Sequence, residues 1–396
     1  MTGRRRASSS GVLALCLLLG SLVGCGGQPA ADSAKAEVQR LLDAQATAVL
    51  HHDETAYART GSRTAYENLS AVPLAAWSYR LTSLHRTGAT ATAAAELGYR
   101  VRGYDTSPVT VGRTLTLRLT ADGQWYVDSD KPAKKSGQQL WDQGKVSVLK
   151  GAHSVVMGVG QDADSLRDYR SLADHAVPAV SDAWGTDWTR HVVVLVPGSL
   201  DGMAGLLGSP AASYRGIAAV TTGEAGGSGH APADRIIVNP DAYALLGPVG
   251  KQVVLTHETT HVATRANTTP ATPLWLSEGY ADWIGYRGTG RTATQAAPEL
   301  SHAVQDGILP TALPTDKDFG FSGEATDLAQ AYEGGWLACR MIEDRWGTAQ
   351  LGRFYRAVGT HKQRAGAVED AMKNVLGISL DDFTAQWRDY LKTQLA

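Results

Sequence analysis

Two histidines and a glutamate on consecutive predicted helices constrain the fold of this chain more than any other feature. His257 and His261 lie in Pro248–His261, where apolar residues recur at helical spacing. Side chains four residues apart lie one above the other on a helix, so both imidazoles point to the same side. Glu278 follows on a second predicted helix that begins at Pro273. If that helix returns against the first, Glu278 lies opposite the two imidazoles.

These residue types in this pattern indicate a catalytic zinc site. His257-Glu258-Thr259-Thr260-His261 is a His-Glu-x-x-His sequence, whose two imidazoles can reach one tetrahedral ion. With Glu278 as a third ligand, one coordination position stays open for water, which is typical of catalytic sites. Glu258 is the candidate base that takes a proton from this water. Asp282, one helical turn after Glu278, is placed to accept the ring N–H of a ligating histidine.

The two helices together resemble the zinc site of the gluzincin metallopeptidases, which are the thermolysin-like and aminopeptidase-N-like enzymes. The resemblance is carried by 257–261 and by Trp275-Leu276-Ser277-Glu278-Gly279-Tyr280-Ala281, and it covers about Val249–Gly347. It implies a zincin-like fold and hydrolysis of protein or peptide substrates. It also implies a Zn²⁺ cofactor held by His257, His261 and Glu278.

A later segment resembles part of the aminopeptidases. Ala331-Tyr332-Glu333-Gly334-Gly335-Trp336 is similar to the segment whose tyrosine stabilises the oxyanion, which implies a catalytic role for Tyr332. Gly334 stands where that segment has a lysine. Aminopeptidases also carry a Gly-x-Met-x-Asn strand that captures the substrate's amino terminus, and no such sequence precedes His257. An endopeptidase-like or other hydrolase is therefore favoured, with Arg235–Pro240 as the predicted edge strand beside the substrate.

The start of the chain has the pattern of an export signal. Three arginines at positions 4–6 precede an apolar run from Gly11 to Val23, which is too short for a comfortable transmembrane helix. The run ends in Leu22-Val23-Gly24-Cys25, which resembles the lipobox of bacterial lipoproteins. This resemblance implies a signal peptide over 1–24, acylation of Cys25 and attachment to the extracytoplasmic face of the cell membrane. A cleaved secretory signal with a chance cysteine is the alternative.

The remaining patterning predicts an α+β fold with two domains. The N-terminal domain starts with an amphipathic helix and continues with alternating strands, and its topology resembles the NTF2-like superfamily. The second domain is mostly helical and zincin-like, and it contains a small sheet. The predicted boundaries are a tether at 25–32, the first domain at 33–130, a polar linker at 131–145 and the second domain at 146–396. Within the second domain, the Gly-, Ala- and Ser-rich stretch Gly202–Asp234 is predicted as a loop with short ordered pieces.

Composition excludes several other classes of protein. The chain has 37 Lys and Arg against 39 Asp and Glu, without basic clusters interleaved with aromatics, so no nucleic-acid partner is expected. A hydrophobic fraction of 43% excludes wholesale disorder. Of the three cysteines, Cys16 lies in the signal and Cys25 in the lipobox. Cys339 is then left alone and is predicted to be buried as a small apolar side chain.

Three functions are compatible with these features. The first is a lipid-anchored zinc peptidase, and the second is a catalytically inactive or ligand-binding lipoprotein with a peptidase-like fold. The third is a hydrolase that cuts the peptide cross-links of a cell wall. The presence of Glu258 favours an enzyme, because a purely structural zinc site needs no base. Alternatives for single residues are a surface carboxylate for Glu278, a capping role for Asp282 and a core position for Tyr332.

Overall fold

A computed structural model describes residues 28–222, 234–320 and 324–396 of the chain. The predicted signal peptide at 1–24 and Cys25 lie outside the described residues. The structure confirms the predicted α+β class, since an antiparallel sheet domain precedes a mostly helical domain with a small mixed sheet. Among the described helices, none is both long and apolar enough to cross a membrane.

The N-terminal domain packs three helices against a four-stranded antiparallel sheet. The strands follow one another in chain order, and Trp77, Tyr79 and Leu81 alternate into the core. Gly123 has a φ of +78°, which suits glycine in the turn between the last two strands. The first helix begins at Gln28, inside the segment predicted as a tether. The elements are α1 Gln28–Leu50, α2 Glu54–Ala58, α3 Arg63–Leu69, β1 Leu74–Thr87, β2 Thr90–Val101, β3 Val109–Leu119 and β4 Trp125–Pro132.

The segment predicted as a polar linker, 131–145, is packed against the first domain. Asp142 accepts hydrogen bonds of 2.8 and 2.7 Å from the two terminal nitrogens of Arg113, whose side chain is 2% exposed. Asp130 accepts a third bond of 2.6 Å from Nε of the same arginine. A buried guanidinium requires such partners. The polar residues of this segment therefore include Asp142, a partner of the buried charge of Arg113.

The second domain contains a five-stranded mixed sheet in the order β5-β6-β7-β9-β8. Its strands are β5 Val146–Lys150, β6 Ser154–Val159, β7 Val192–Val196, β8 Ala219–Thr222 and β9 Arg235–Val238. The prediction that Arg235–Pro240 forms the edge strand is wrong, because β9 lies between β7 and β8. All four residues of β9 are buried, as expected for an interior strand. The edge strand on this side of the sheet is β8, which comes from the stretch predicted as a loop.

Helices form the rest of the second domain. They are α4 Ala163–Trp184, α5 Leu200–Leu207, α6 Pro240–Ala244, α7 Pro248–Thr264, α8 Leu274–Tyr286, α9 Ala293–Ala296, α10 Pro298–Gln305, α11 Ala325–Trp346, α12 Thr348–Gly359, α13 Ala367–Ala371 and α14 Leu380–Leu395. Asp162 caps α4 by accepting a bond from the Ser165 N–H, which fixes where that helix begins. Cys339 is buried in α11, as its apolar surroundings in the sequence predict.

The five-stranded sheet has a hydrophobic core on each face. Val156 and Val194 pack with Leu255 of α7 on one face. Val155 and Val193 point to the opposite face, where they join the core of the N-terminal domain. Side chains alternate between the two faces of a strand, so both cores draw on the same short strands. The two domains are therefore joined through a common hydrophobic core.

Glycines let α8 and α11 approach closely. A Cβ atom added to Gly279 would lie 2.2 Å from the carbonyl oxygen of Gly335, and one added to Gly335 would lie 2.6 Å from that of Trp275. Trp283 donates a hydrogen bond of 2.5 Å from Nε1 to Glu343 and so ties the same two helices together. This close packing fixes α11 beside the helix that carries Glu278.

A buried ion pair also joins the two domains. Arg235 of β9 donates bonds of 2.9 and 2.8 Å to the two carboxylate oxygens of Asp105, which lies between β2 and β3. The side chain of Asp105 is fully buried and that of Arg235 is 11% exposed. Removing one member of such a pair is costly, because the other member remains in a low-dielectric environment.

We predict that Asp105→Ala lowers the free energy of unfolding by about 3–5 kcal/mol, because the compensating carboxylate is lost. The double variant Asp105→Leu with Arg235→Met removes both charges and should recover part of this loss, although the N–H of Val101 loses its acceptor. Urea denaturation of the wild type and the variants measures both effects. A cost below about 1 kcal/mol for Asp105→Ala, as found for exposed pairs, would contradict the buried ion pair.

Candidate metal centre

The helix α7 presents both motif histidines to one cleft. Pro248 occupies the first turn of this helix, where its missing N–H is tolerated. His257 and His261 are separated by one helical turn, and their Nε2 atoms lie 3.0 Å apart. Both side chains are largely buried, with exposures of 12% and 19%. The helical spacing expected from the sequence thus brings the two imidazoles together.

The second helix, α8, places Glu278 opposite the two imidazoles. One carboxylate oxygen, Oε2, lies 3.3 Å from Nε2 of His257 and 3.3 Å from Nε2 of His261. The three atoms form a nearly equilateral triangle. Ligand bonds of about 2.0 Å in tetrahedral geometry separate neighbouring ligand atoms by about 3.3 Å. The three residues therefore fit a tetrahedral zinc ion as a ligand set of two nitrogens and one oxygen.

Asp282 contacts the far side of the first histidine. Its Oδ1 atom lies 2.7 Å from Nδ1 of His257. A carboxylate in this position orients the ring and leaves Nε2 as the atom that faces the metal position. Burial lowers the pKa of His257, but the charge of Asp282 and its hydrogen bond outweigh burial and leave the pKa well above its usual value.

The environment of Glu278 favours its ionised form. Burial raises the pKa of this carboxyl group. The charges and hydrogen bonds of the two imidazoles have a larger, opposite effect and bring the pKa well below its usual range. A carboxylate ligand to a metal has to be deprotonated. Without a metal ion, the two imidazoles thus favour the ionised form of Glu278, which is the form in which a carboxylate coordinates.

Glu258 is buried beside the histidines, with an exposure of 6%. Its Oε2 atom accepts a hydrogen bond of 2.6 Å from the hydroxyl group of Thr221 on β8. Sequence reasoning missed Thr221, because it lies in the Gly-, Ala- and Ser-rich stretch and carries no motif. Only the position of β8 beside α7 brings its hydroxyl group to the motif.

Tyr332 reaches the same cleft from α11. Its ring centroid lies 6.5 Å from that of His257 and 5.1 Å from that of Phe319. Burial raises the pKa of Tyr332 well above its usual value, and the nearby carboxylates of Glu278 and Asp282 raise it further. The phenol is therefore neutral and keeps its proton as a hydrogen-bond donor.

A cleft of about 1060 Å³ contains all six predicted side chains. They are His257, Glu258, His261, Glu278, Asp282 and Tyr332. The edge strand β8 forms one wall, and aromatic side chains from α8 and α11, Tyr286 and Trp336, form part of another. The cleft is partly open to solvent, as access of a substrate to the metal position requires.

A second buried glutamate shapes the cleft wall. Glu333, next to Tyr332, accepts hydrogen bonds of 3.2 and 2.6 Å from the N–H groups of Glu299 and Leu300 at the start of α10. It thereby caps the first turn of that helix. Burial raises the pKa of Glu333 to about 7. Sequence reasoning missed this role, because the two partners are distant in the chain.

Comparison with solved structures gives partial matches. The chain is similar to native yeast LTA4 hydrolase, with 14% identity and a TM-score of 0.36 over 69% of this chain and 42% of that protein. It is also similar to an M1 zinc metallopeptidase from Deinococcus radiodurans, with 15% identity and a TM-score of 0.35 over 82% of this chain and 62% of that one.

A mutant of the Deinococcus enzyme bound to a Tyr-Ser-Ala substrate matches with 13% identity and a TM-score of 0.32, over 82% of this chain and 61% of that one. The chain thus spans less than two thirds of the length of each of these three proteins. Protein-family models and curated proteins give no match to this sequence.

We predict that the purified protein binds about one zinc ion per chain and that His257→Ala and Glu278→Ala abolish this binding, because each removes a ligand atom. Asp282→Asn should keep the site but weaken its zinc affinity about 10–100-fold. Inductively coupled plasma mass spectrometry and competition with a chelator measure these effects. His302→Ala, which removes an exposed histidine on α10, is the control. Equal zinc content in His257→Ala and the wild type would rule out the proposed ligand set.

Proposed function

We propose that this chain is a membrane-anchored, extracytoplasmic, zinc-dependent peptidase that hydrolyses internal peptide bonds of protein or peptide substrates. The observation that carries the proposal is the convergence of three ligand atoms, 3.0–3.3 Å apart, beside a buried carboxylate in an open cleft. His257, His261 and Glu278 would hold the ion. Glu258 lines the same cleft but is not one of the three ligands. A general base is needed in this position, beside the metal.

The chemistry that zinc supplies in such a site is Lewis-acid polarisation of a carbonyl group and acidification of a water molecule. Glu258 would accept a proton from the attacking water and then donate it to the leaving amine. The proton passes from the water through Glu258 to the leaving amine, so the carboxylate of Glu258 is regenerated in each cycle. Its burial keeps bulk water from competing for that proton.

Tyr332 would donate its hydroxyl proton in a hydrogen bond to the developing oxyanion. Its position on α11, across the cleft from the histidines, and its neutral phenol support this role. Loss of one such donor typically costs about 3 kcal/mol of transition-state stabilisation. The packing of α8 against α11 at Gly279 and Gly335 holds this donor at a fixed distance from the ligands.

The edge strand supports a peptide as the substrate. Within the described part of the chain, β8 pairs with β9 on one side and with no strand on its other side. An extended peptide can add to such an edge through main-chain hydrogen bonds, which depend little on sequence. The sequence before His257 also lacks the Gly-x-Met-x-Asn segment of aminopeptidases. We therefore propose an endopeptidase-like enzyme rather than an aminopeptidase.

We predict that Glu258→Gln binds zinc like the wild type but hydrolyses an unfolded protein at least about 100-fold more slowly, because the amide cannot accept the proton. Release of labelled fragments from unfolded casein, at matched zinc content, measures this difference. Equal hydrolysis by both proteins, or none by the zinc-loaded wild type, would favour a binding protein with a peptidase-like fold.

For the anchor, the proposal rests on the sequence Leu22-Val23-Gly24-Cys25 after a basic and then apolar segment. Several acyl chains on one residue hold a protein to a membrane stably. We predict that Cys25→Ser moves the protein from the membrane fraction to the soluble fraction and prevents incorporation of a labelled fatty acid. Cys16→Ser, inside the apolar run, is the matched control and should change neither. A Cys25→Ser protein that stays acylated would show that the anchor lies elsewhere.

A further inference from the structure

The hydroxyl group of Thr221 links the edge strand to the candidate base. Oγ1 of Thr221 lies 2.6 Å from Oε2 of Glu258 and 3.1 Å from the main-chain oxygen of the same residue. The contact to the carboxylate is in the short range that is typical of an O–H bond to an ionised acceptor. Within the described residues, no second donor contacts this carboxylate.

The sheet fixes the direction in which Thr221 points. Ala219 and Thr221 lie on the same face of β8, and Ala219 packs in the core that contains Leu255 of α7. Thr222 points to the opposite face, where its hydroxyl group bonds with the main chain of Arg235 at 3.2 and 3.3 Å. Pairing of Thr221 with Ile236 on buried β9 holds the strand in this register. The hydroxyl group is therefore held by the sheet and not by the cleft.

The carboxylate of Glu258 needs such a contact. It is 6% exposed, so water does little to fix its orientation, and a glutamate side chain has three rotatable bonds. A donor on Oε2 selects one rotamer and leaves Oε1 as the oxygen that can face the reacting water. A change of about 1 Å in the position of a catalytic group can lower the rate about 100-fold.

We propose that Thr221 is a positioning residue, whose hydroxyl group holds Oε2 of Glu258 so that Oε1 is directed at the water. This inference rests on the proposed peptidase function and adds a residue on which that function depends. It also couples substrate and base, because a peptide that pairs with β8 bonds with the same strand that orients Glu258. Thr221 acts through Glu258 and contacts neither the ligand nitrogens nor the ligand oxygen.

The test compares variants of the full chain at equal zinc content. Thr221→Val removes the hydroxyl group while nearly conserving shape, and it should lower kcat by about 10–100-fold with KM changed less than about twofold. Thr221→Ser keeps the hydroxyl group and should restore kcat to within about threefold of the wild type. Thr110→Val, the same substitution at an exposed threonine on β3, is the control and should leave kcat unchanged. Thr221→Ala provides a second removal of the hydroxyl group if the valine variant does not fold.

A crystal structure of each zinc-loaded variant gives a readout that does not depend on activity. In the wild type and Thr221→Ser, Glu258 should occupy one rotamer with a bond to residue 221. In Thr221→Val and Thr221→Ala, the carboxylate should leave that rotamer or occupy several. An unchanged rotamer in both hydroxyl-free variants would overturn the inference.

The outcomes separate this inference from the proposed function. If the wild type is active, Glu258→Gln is inactive and Thr221→Val has wild-type kcat, the inference fails and the peptidase function stands. If Thr110→Val loses as much activity as Thr221→Val, the loss is not specific to residue 221 and the inference fails. If the zinc-loaded wild type is inactive, the peptidase function fails, and the rotamer of Glu258 in the hydroxyl-free variants decides the inference.

Discussion

The arrangement of the site depends on the packing of α8 against α7. This contact brings the carboxyl groups of Glu258, Glu278 and Asp282 into one cleft with two imidazoles, and the packing of α11 on α8 adds the carboxyl group of Glu333. Burying so much negative charge is unfavourable unless cations or donors compensate it. Asp282 and Glu278 face the imidazoles, Glu258 faces a hydroxyl group, and Glu333 faces a helix N-terminus. A divalent cation held by His257, His261 and Glu278 would compensate the remaining charge.

The rest of the second domain supports this contact from both sides. On one side, α11 packs on α8 at two glycines and carries Tyr332 to the cleft. On the other side, the five-stranded sheet supports α7 through the core around Leu255 and carries the edge strand β8. The ligands therefore lie on helices, while the residue proposed to orient the base lies on a strand. A site built on regular elements of two kinds holds its groups more rigidly than one built on loops.

The sequence predicts the parts of this molecule that depend on local periodicity. The shared helical face of His257 and His261 follows from their separation of four residues. The position of Asp282 beside His257 needed only that α8 return against α7. The acylation of Cys25 and the NTF2-like resemblance stay predictions.

The parts that sequence reasoning missed depend on long-range order. The four residues of β8 are too few for a clear alternation, and they lie in a Gly- and Ala-rich stretch, so neither the strand nor Thr221 was recognisable. The order of strands in the sheet follows from packing between distant segments, which is why β9 was wrongly placed at the edge. The capping of α10 by Glu333 and the bond between Asp142 and Arg113 are likewise contacts between distant positions.

The common hydrophobic core limits how the chain can be truncated. Val155, Met157 and Val193 belong to the second domain by sequence, yet they are covered by the first. A truncated chain that starts at β5 would expose this apolar face to water and would also lose the acidic partner of Arg235. The N-terminal domain thus covers one face of the five-stranded sheet, and the shortest piece expected to express in soluble form includes both domains.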